Sequence, residues 1–77
     1  MPLDPMPDWV LTRRREIGAR IRTARLRAGL TQIQLAERIG REHRTIHRWE
    51  YARHIPNLQD LLLVADALGV PLADLVR

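Results

Sequence analysis

Apolar residues recur at steps of three and four along most of the chain, which is the spacing of one face of an α-helix. In the first long segment the residues with this spacing are Ile17, Ile21, Ala24 and Ala28. They predict a helix over residues 9–28, with Asp8 as a candidate N-cap and Gly29 as the residue that stops it.

Two shorter helices are predicted next. Thr31 and Gln34 have the spacing of a capping box, in which the Thr hydroxyl accepts from an amide of the first turn and the Gln side chain reaches back. This box begins a helix that ends at Gly40. The apolar residues of this helix are Ile33, Leu35, Ala36 and Ile39. A third helix is predicted at about residues 43–51.

The remaining segment predicts two more helices. Asn57 and Asp60 form a second capping signature, and Gly69 ends the helix that they open. The apolar residues of that helix are Leu58, Leu61, Leu62, Ala65 and Leu68. Pro71 suits the first position of a short last helix that ends near Val76. Because no long segment alternates with the two-residue period of a strand, the predicted fold class is all-α, with five helices.

Length and composition limit what this bundle can be. With 77 residues the chain is one domain at most, and without cysteine it has neither disulfides nor thiolate metal ligands. It also lacks serine and a credible carboxylate pair, so we expect neither an enzyme nor a cofactor. No apolar run reaches the roughly 20 residues of a membrane span, and the N-terminus has no secretory pattern. We therefore expect a cytoplasmic protein without a membrane partner.

The distribution of charge is more informative than the net charge of +4. Residues 13–57 hold twelve arginines and four glutamates, a net charge of +8. Residues 1–12 hold two aspartates, and residues 58–77 hold three aspartates and one arginine, so each flank carries −2. A basic middle between acidic ends indicates a surface that faces a polyanion.

The third helix separates its residues into two faces. At about 100° per residue, Ile46 and Trp49 lie on one side, where they can anchor the helix to the core. The opposite side carries His43, Arg44, His47, Arg48 and Tyr51. A charged surface loop has no reason to sort its residues in this way, so the pattern favours a helix with one exposed polar face.

His43 and His47 also have the spacing of two zinc ligands on a helix, and His54 is a possible third ligand. Arg44 and Arg48 beside them would repel a cation. The chain also lacks the His-Glu-x-x-His order of a hydrolytic metal motif. We therefore predict no metal site and interpret the histidines as solvated or as facing DNA.

An ordered set of short motifs carries a family resemblance. These motifs are TQ-x2-LA-x3-G over residues 31–40, TI-x-RWE over residues 45–50, and ALGV over residues 67–70. Together they resemble the helix-turn-helix of the phage-repressor family, the Cro and Xre-type regulators, over about residues 14–76. The resemblance implies a five-helix, lambda-repressor-like bundle whose second and third helices bind DNA, with the third in the major groove.

The resemblance also assigns roles to residues. The base-reading candidates are His43, Arg44, His47 and Arg48. Arg44 and Arg48 can each donate twice to guanine, which predicts G·C pairs in the binding site. The candidates for contact with the DNA backbone are Gln32, Arg41, Tyr51, Arg53 and His54. An ion pair between Arg25 and Glu50 is implied as a structural link from the first helix to the third.

Three residues depart from the family pattern. Arg41 stands where an aliphatic turn residue is usual, and Glu42 stands where Ser or Thr usually caps the third helix. Ala52 replaces the usual glycine after that helix. If Ala52 is left-handed, its methyl group costs roughly 1 kcal/mol.

The predicted function is that of a sequence-specific, double-stranded DNA-binding transcriptional regulator. A domain with one recognition helix gains affinity by pairing, so we expect a homodimer on half-sites about 34 Å apart. The alternative is a protein-interaction module, antitoxin-like or a co-regulator, for which a protein partner comes first and DNA second.

The N-terminal region is predicted separately. Residues 1–12 should be a partly ordered extension, and residues 13–77 the helix-turn-helix DNA-binding domain. The apolar run Trp9 to Leu11 is either a clamp over the core or a subunit contact, and we favour the clamp. The arginines of the run 13–15 are solvated or follow a phosphate backbone or minor groove, and a Glu16–Arg20 pair is expected.

Overall fold

The computed structural model describes residues 5–77, and residues 1–4 of the predicted extension lie outside the described residues. The chain forms five helices: α1 (Asp8–Arg27), α2 (Gln32–Ile39), α3 (His43–Glu50), α4 (Leu58–Leu68) and α5 (Ala73–Val76). Residues 5–77 contain no strand. The predicted all-α fold class is therefore confirmed, and helix α1 begins inside the predicted extension.

Two helix starts differ from the prediction. Asp8 is the first residue of α1 and not its cap, because Pro7 occupies the N-cap position and its carbonyl accepts from the amide of Val10 at 3.0 Å. At the other end, α5 begins at Ala73 and not at Pro71. The carbonyl of Pro71 accepts from the amide of Asp74 in the turn that leads into α5.

Both predicted capping boxes are present. Thr31 Oγ1 accepts from the amide of Gln34 at 3.0 Å, and Gln34 Oε1 accepts from the amide of Thr31 at 2.9 Å. Asn57 Oδ1 accepts from the amide of Asp60 at 2.8 Å, and Asp60 Oδ2 accepts from the amide of Asn57 at 3.2 Å. Local sequence alone therefore sets where α2 and α4 begin.

The core lies where α1 and α2 meet α3, α4 and α5. Its buried apolar residues are Ile21, Leu30, Leu35, Ala36, Ile39, Ile46, Trp49, Val64, Ala65, Leu68 and Leu75. Three predicted apolar positions lie outside the core, because Ile33, Leu58 and Leu62 are exposed. In α4, Val64 is buried in the core although it was not among the predicted apolar residues, while Ala65 and Leu68 are buried as predicted.

The N-terminal turns of α1 do not clamp the core through their largest residue, because Trp9 is 70% exposed. The clamp interpretation is wrong for Trp9. Further along α1, Arg13 donates to the carbonyl oxygens of Val76 and Arg77 at 2.5 and 2.8 Å. A guanidinium at the last carbonyls of a helix is favourable, so Arg13 holds α5 against α1.

Arg13 also takes the partner that was expected for Arg20. The Nη1 atom of Arg13 lies 2.7 Å from Glu16 Oε2, while Arg20 donates to the carbonyl of Arg77. The predicted Glu16–Arg20 pair is therefore wrong, because the end of α5 attracts both arginines to its free carbonyls.

Candidate nucleic-acid interface

The turn between α2 and α3 sets the angle at which α3 is presented. Gly40 ends α2 in the left-handed region, at φ 70°, which glycine adopts without steric cost. The amide of Arg41 donates back to the carbonyl of Ala36 at 2.9 Å. Glu42 then occupies the N-cap of α3, but its side chain makes no capping hydrogen bond.

Helix α3 has the two faces that its sequence predicts. Ile46 and Trp49 are buried in the core, as expected. The four base-reading candidates, His43, Arg44, His47 and Arg48, are all exposed. One rigid helix therefore presents two guanidinium groups and two imidazoles to solvent on the side away from its anchors.

A buried network fixes the position of α3. Arg25 Nε donates to Glu50 Oε2 at 2.6 Å and Arg25 Nη2 donates to Glu50 Oε1 at 3.0 Å, which confirms the implied ion pair. Arg25 also donates to the carbonyl of Leu30 at 2.8 Å. The hydrogen bonds to Glu50 raise the pKa of Arg25 above its usual value, although burial acts in the opposite direction. The pair joins the end of α1 to the end of α3.

Gln32 belongs to the same network. Its Nε2 atom donates to Glu50 Oε1 at 3.1 Å, so the side chain that was expected at a DNA phosphate contacts the third helix. Gln32 remains partly exposed at the first position of α2. The arrangement ties the starting turn of α2 to α3.

Arg41 is paired within the protein. Its Nη2 and Nε atoms donate to Asp60 Oδ1 at 2.8 and 3.3 Å, and 43% of the Arg41 side chain is still exposed. Asp60 is nearly buried and also forms the capping box of α4. The arginine that departs from the family pattern therefore links the helix-turn-helix to α4, and it keeps unused donors toward solvent.

The other backbone candidates follow α3. Tyr51, Arg53 and His54 are exposed, and the rings of Tyr51 and His47 lie 4.7 Å apart between centroids. Ala52 has φ 56°, so the alanine that replaces a family glycine is left-handed. The amide of Arg53 donates to the carbonyl of Arg48 at 2.8 Å, and this hydrogen bond closes a tight turn directly after α3.

The sequence analysis did not predict the positions of two residues that matter for this surface. It placed Ile33 on the apolar face of α2, but Ile33 is 55% exposed and lies with Arg44 and His43 around a depression between α2 and α3. Gly18 was not singled out, yet a Cβ atom there would lie 2.6 Å from the carbonyl oxygen of Trp49. A glycine in the middle of an otherwise regular helix was the available signal.

Other kinds of site find no support in the part of the chain that the structure describes. Residues 5–77 hold no group of three His, Cys, Asp or Glu side chains placed to bind a metal ion. None of the helices described is long and apolar enough to cross a membrane.

Comparisons with known proteins agree with this geometry. A family model described as a helix-turn-helix domain matches residues 16–77. The crystal structure of the clp gene regulator ClgR from C. glutamicum is similar, with a TM-score of 0.78 and 28% sequence identity. The similarity covers 94% of this chain and 86% of the ClgR chain. No curated protein matches the sequence.

Proposed function

Because the chain belongs to the helix-turn-helix domain family, we propose that it is a sequence-specific regulator of transcription that binds double-stranded DNA. The observation that carries the proposal is the exposed face of α3, which the Arg25–Glu50 pair holds in one position. This family binds DNA and does not catalyse a reaction, in agreement with the expectation that the chain is not an enzyme.

In this function α3 lies in the major groove and its exposed side chains contact base edges. The residues assigned to base reading are His43, Arg44, His47 and Arg48. Each of the two arginines can donate to both O6 and N7 of a guanine, so we expect G·C pairs at two positions of a half-site. Ile33 offers an apolar surface beside Arg44, which suits the methyl group of thymine.

The surrounding residues hold the DNA backbone. Tyr51, Arg53 and His54 are exposed after α3 and are assigned to phosphates. Arg41 uses its solvent-facing donors in the same way while it stays paired with Asp60. Gln32 supports the first turn of α2 through its bond to Glu50, and the amides of that turn favour an anion.

The regulator acts as a homodimer in the cytoplasm. One α3 contacts only part of a turn of DNA, so two copies on two-fold half-sites about 34 Å apart gain both affinity and specificity.

Selection of binding sites from a randomised DNA library at near-physiological salt tests the proposal. The wild type should select a two-fold motif with G·C positions, and the Arg44→Ala, Arg48→Ala variant should lose those positions. A control with Arg22→Ala and Arg27→Ala removes two exposed charges from α1. It should keep the motif. The proposal would be overturned if the wild type selects no motif and its weak binding is lost as salt rises. Such binding would rest on contacts to phosphates alone, which are strongly salt-dependent. The alternative, a module whose primary partner is a protein, would then take its place.

A further inference from the structure

The three arginines of the run 13–15 have different surroundings in the fold. Arg13 is occupied at the end of α5, where it donates to the carbonyl oxygens of Val76 and Arg77. Arg15 is exposed to solvent. Arg14 is half-buried and lies beside the segment that follows α3. Neither solvation nor the attachment of α5 therefore accounts for Arg14.

The Nε atom of Arg14 is a buried donor without an acceptor in the protein. It is buried and has no hydrogen-bond partner among residues 5–77, and it is the only buried side-chain nitrogen or oxygen of those residues in this situation. A guanidinium has five N–H donors and accepts no hydrogen bond, so only an acceptor can satisfy it. Because an unpaired buried donor destabilises a fold, such a group marks a place where an ion or ordered water binds.

Arg14 borders a small cleft between α1 and the segment that joins α3 to α4. The cleft has a volume of about 50 Å³, and His54 is the other titratable side chain in its wall. Most of the wall is apolar, with Ile17, Trp49 and Leu61 among its largest side chains. None of the described residues that line the cleft carries a carboxylate. An acceptor for Arg14 must therefore come from outside this wall.

The size and the surroundings of the cleft define the chemistry of its ligand. A volume of about 50 Å³ admits one or two groups the size of water, whereas pockets for small molecules measure roughly 300–1,000 Å³. A charged oxygen is the acceptor that a guanidinium binds most strongly, and apolar surroundings strengthen the bond further. His54 adds a second donor at the same cleft. The ligand class is therefore an oxyanion that places one or two oxygens in the cleft.

The location of the cleft favours the DNA backbone as the source of the oxyanion. One side of the cleft is formed by Trp49 at the end of α3 and by His54 in the segment that follows it. Tyr51, Arg53 and His54 are the exposed residues of this segment that are assigned to DNA phosphates. Arg14 thus shares a cleft with one of the assigned phosphate contacts, although it belongs to a different helix.

We propose that Arg14, together with His54, binds a phosphate group of the DNA backbone, so that the interface extends from the helix-turn-helix to α1. The proposal rests on the proposed function for the identity of the polyanion. A contact to phosphate carries no direct sequence information, because the phosphate is the same at every base pair. Arg14 therefore contributes affinity and orientation on the duplex, while α3 reads the bases.

Fluorescence anisotropy at several salt concentrations tests the contact. Arg14→Gln should weaken binding by about tenfold, both to the selected site and to an unrelated duplex. It should also make the slope of log K against log salt shallower by about 0.9, the value for one phosphate contact on B-DNA. The matched control is Arg15→Gln, which removes the same charge from the adjacent, exposed position. It should leave the slope unchanged, and circular dichroism verifies that both variants fold.

The NMR signal of the Arg14 Nε–H group reports on the atom itself. In the wild type this signal should shift when a duplex is added, while the corresponding signal of Arg15 should stay in place. Inorganic phosphate alone, titrated at constant ionic strength, separates a free anion from the DNA backbone. It should shift the Arg14 signal only at concentrations far above those of the duplex, because a free ion lacks the other contacts of the interface.

Three results would overturn the proposal: an unchanged salt slope in Arg14→Gln, an equal change of slope in Arg15→Gln, or an Arg14 signal that DNA does not shift. A signal that responds to inorganic phosphate and not to DNA would assign the cleft to a free anion. Failure of the proposed function has a different signature, since the wild type would then select no motif. The slope on the unrelated duplex would still decide whether Arg14 contacts phosphate.

Discussion

Gly18 in α1 lies directly against the main chain of Trp49 in α3. A Cβ atom at residue 18 would lie 2.6 Å from the carbonyl oxygen of Trp49 and 2.7 Å from that of Glu50. The missing side chain lets the end of α3 approach α1. This approach brings Glu50 within reach of Arg25. Gly18 therefore determines how closely α3 packs against α1.

We expect Gly18→Ala to destabilise the fold by about 2–3 kcal/mol, because the added methyl group meets main-chain atoms that cannot rotate away. The better helix propensity of alanine recovers at most about 1 kcal/mol. Urea unfolding measures the change. Ala19→Gly, at the exposed neighbouring position, should cost no more than about 1 kcal/mol. A Gly18→Ala variant as stable as the wild type would show that α1 and α3 lie further apart.

The left-handed Ala52 predicts a stabilising substitution. Ala52→Gly should raise the free energy of unfolding by about 0.5–1 kcal/mol, because relief of the left-handed strain exceeds the entropy that glycine adds to the unfolded chain. The midpoint of chemical unfolding measures it. Ala28→Gly is the control, since Ala28 also follows a helix but has φ −77°. It should be neutral or destabilising, and a gain of the same size at both positions would contradict the explanation.

The ion pair between Arg25 and Glu50 predicts a non-additive pair of substitutions. Glu50→Gln leaves the buried guanidinium without a counter-charge and should cost about 3–5 kcal/mol. Arg25→Met combined with Glu50→Leu removes both charges and should cost less than the single substitution. Denaturant unfolding of both variants gives the comparison. Equal losses in the single and the double variant would mean that the contribution is packing and not charge.

Local features of the fold could be read directly from the sequence. The starts of α2 and α4 follow from capping boxes in which Thr31 meets Gln34 and Asn57 meets Asp60, within one helical turn. The two faces of α3 follow from helical geometry, since residues three and four apart must share a face. Nothing in the local sequence relates Arg25 to Glu50, which are 25 positions apart, so only the family resemblance implied their ion pair.

Only the tertiary structure decided which apolar faces are covered. The helical period places Leu58 on one side of α4 and Val64 on another, and only the packing of α4 in the bundle buries Val64 and leaves Leu58 exposed. The sequence by itself thus determined the helices, their caps and the polar face of α3, because these depend on residues within a turn of one another. The close approach at Gly18, the partner of Arg41 and the exposed leucines of α4 depend on how whole helices pack, which the spacing of residues along the chain does not encode.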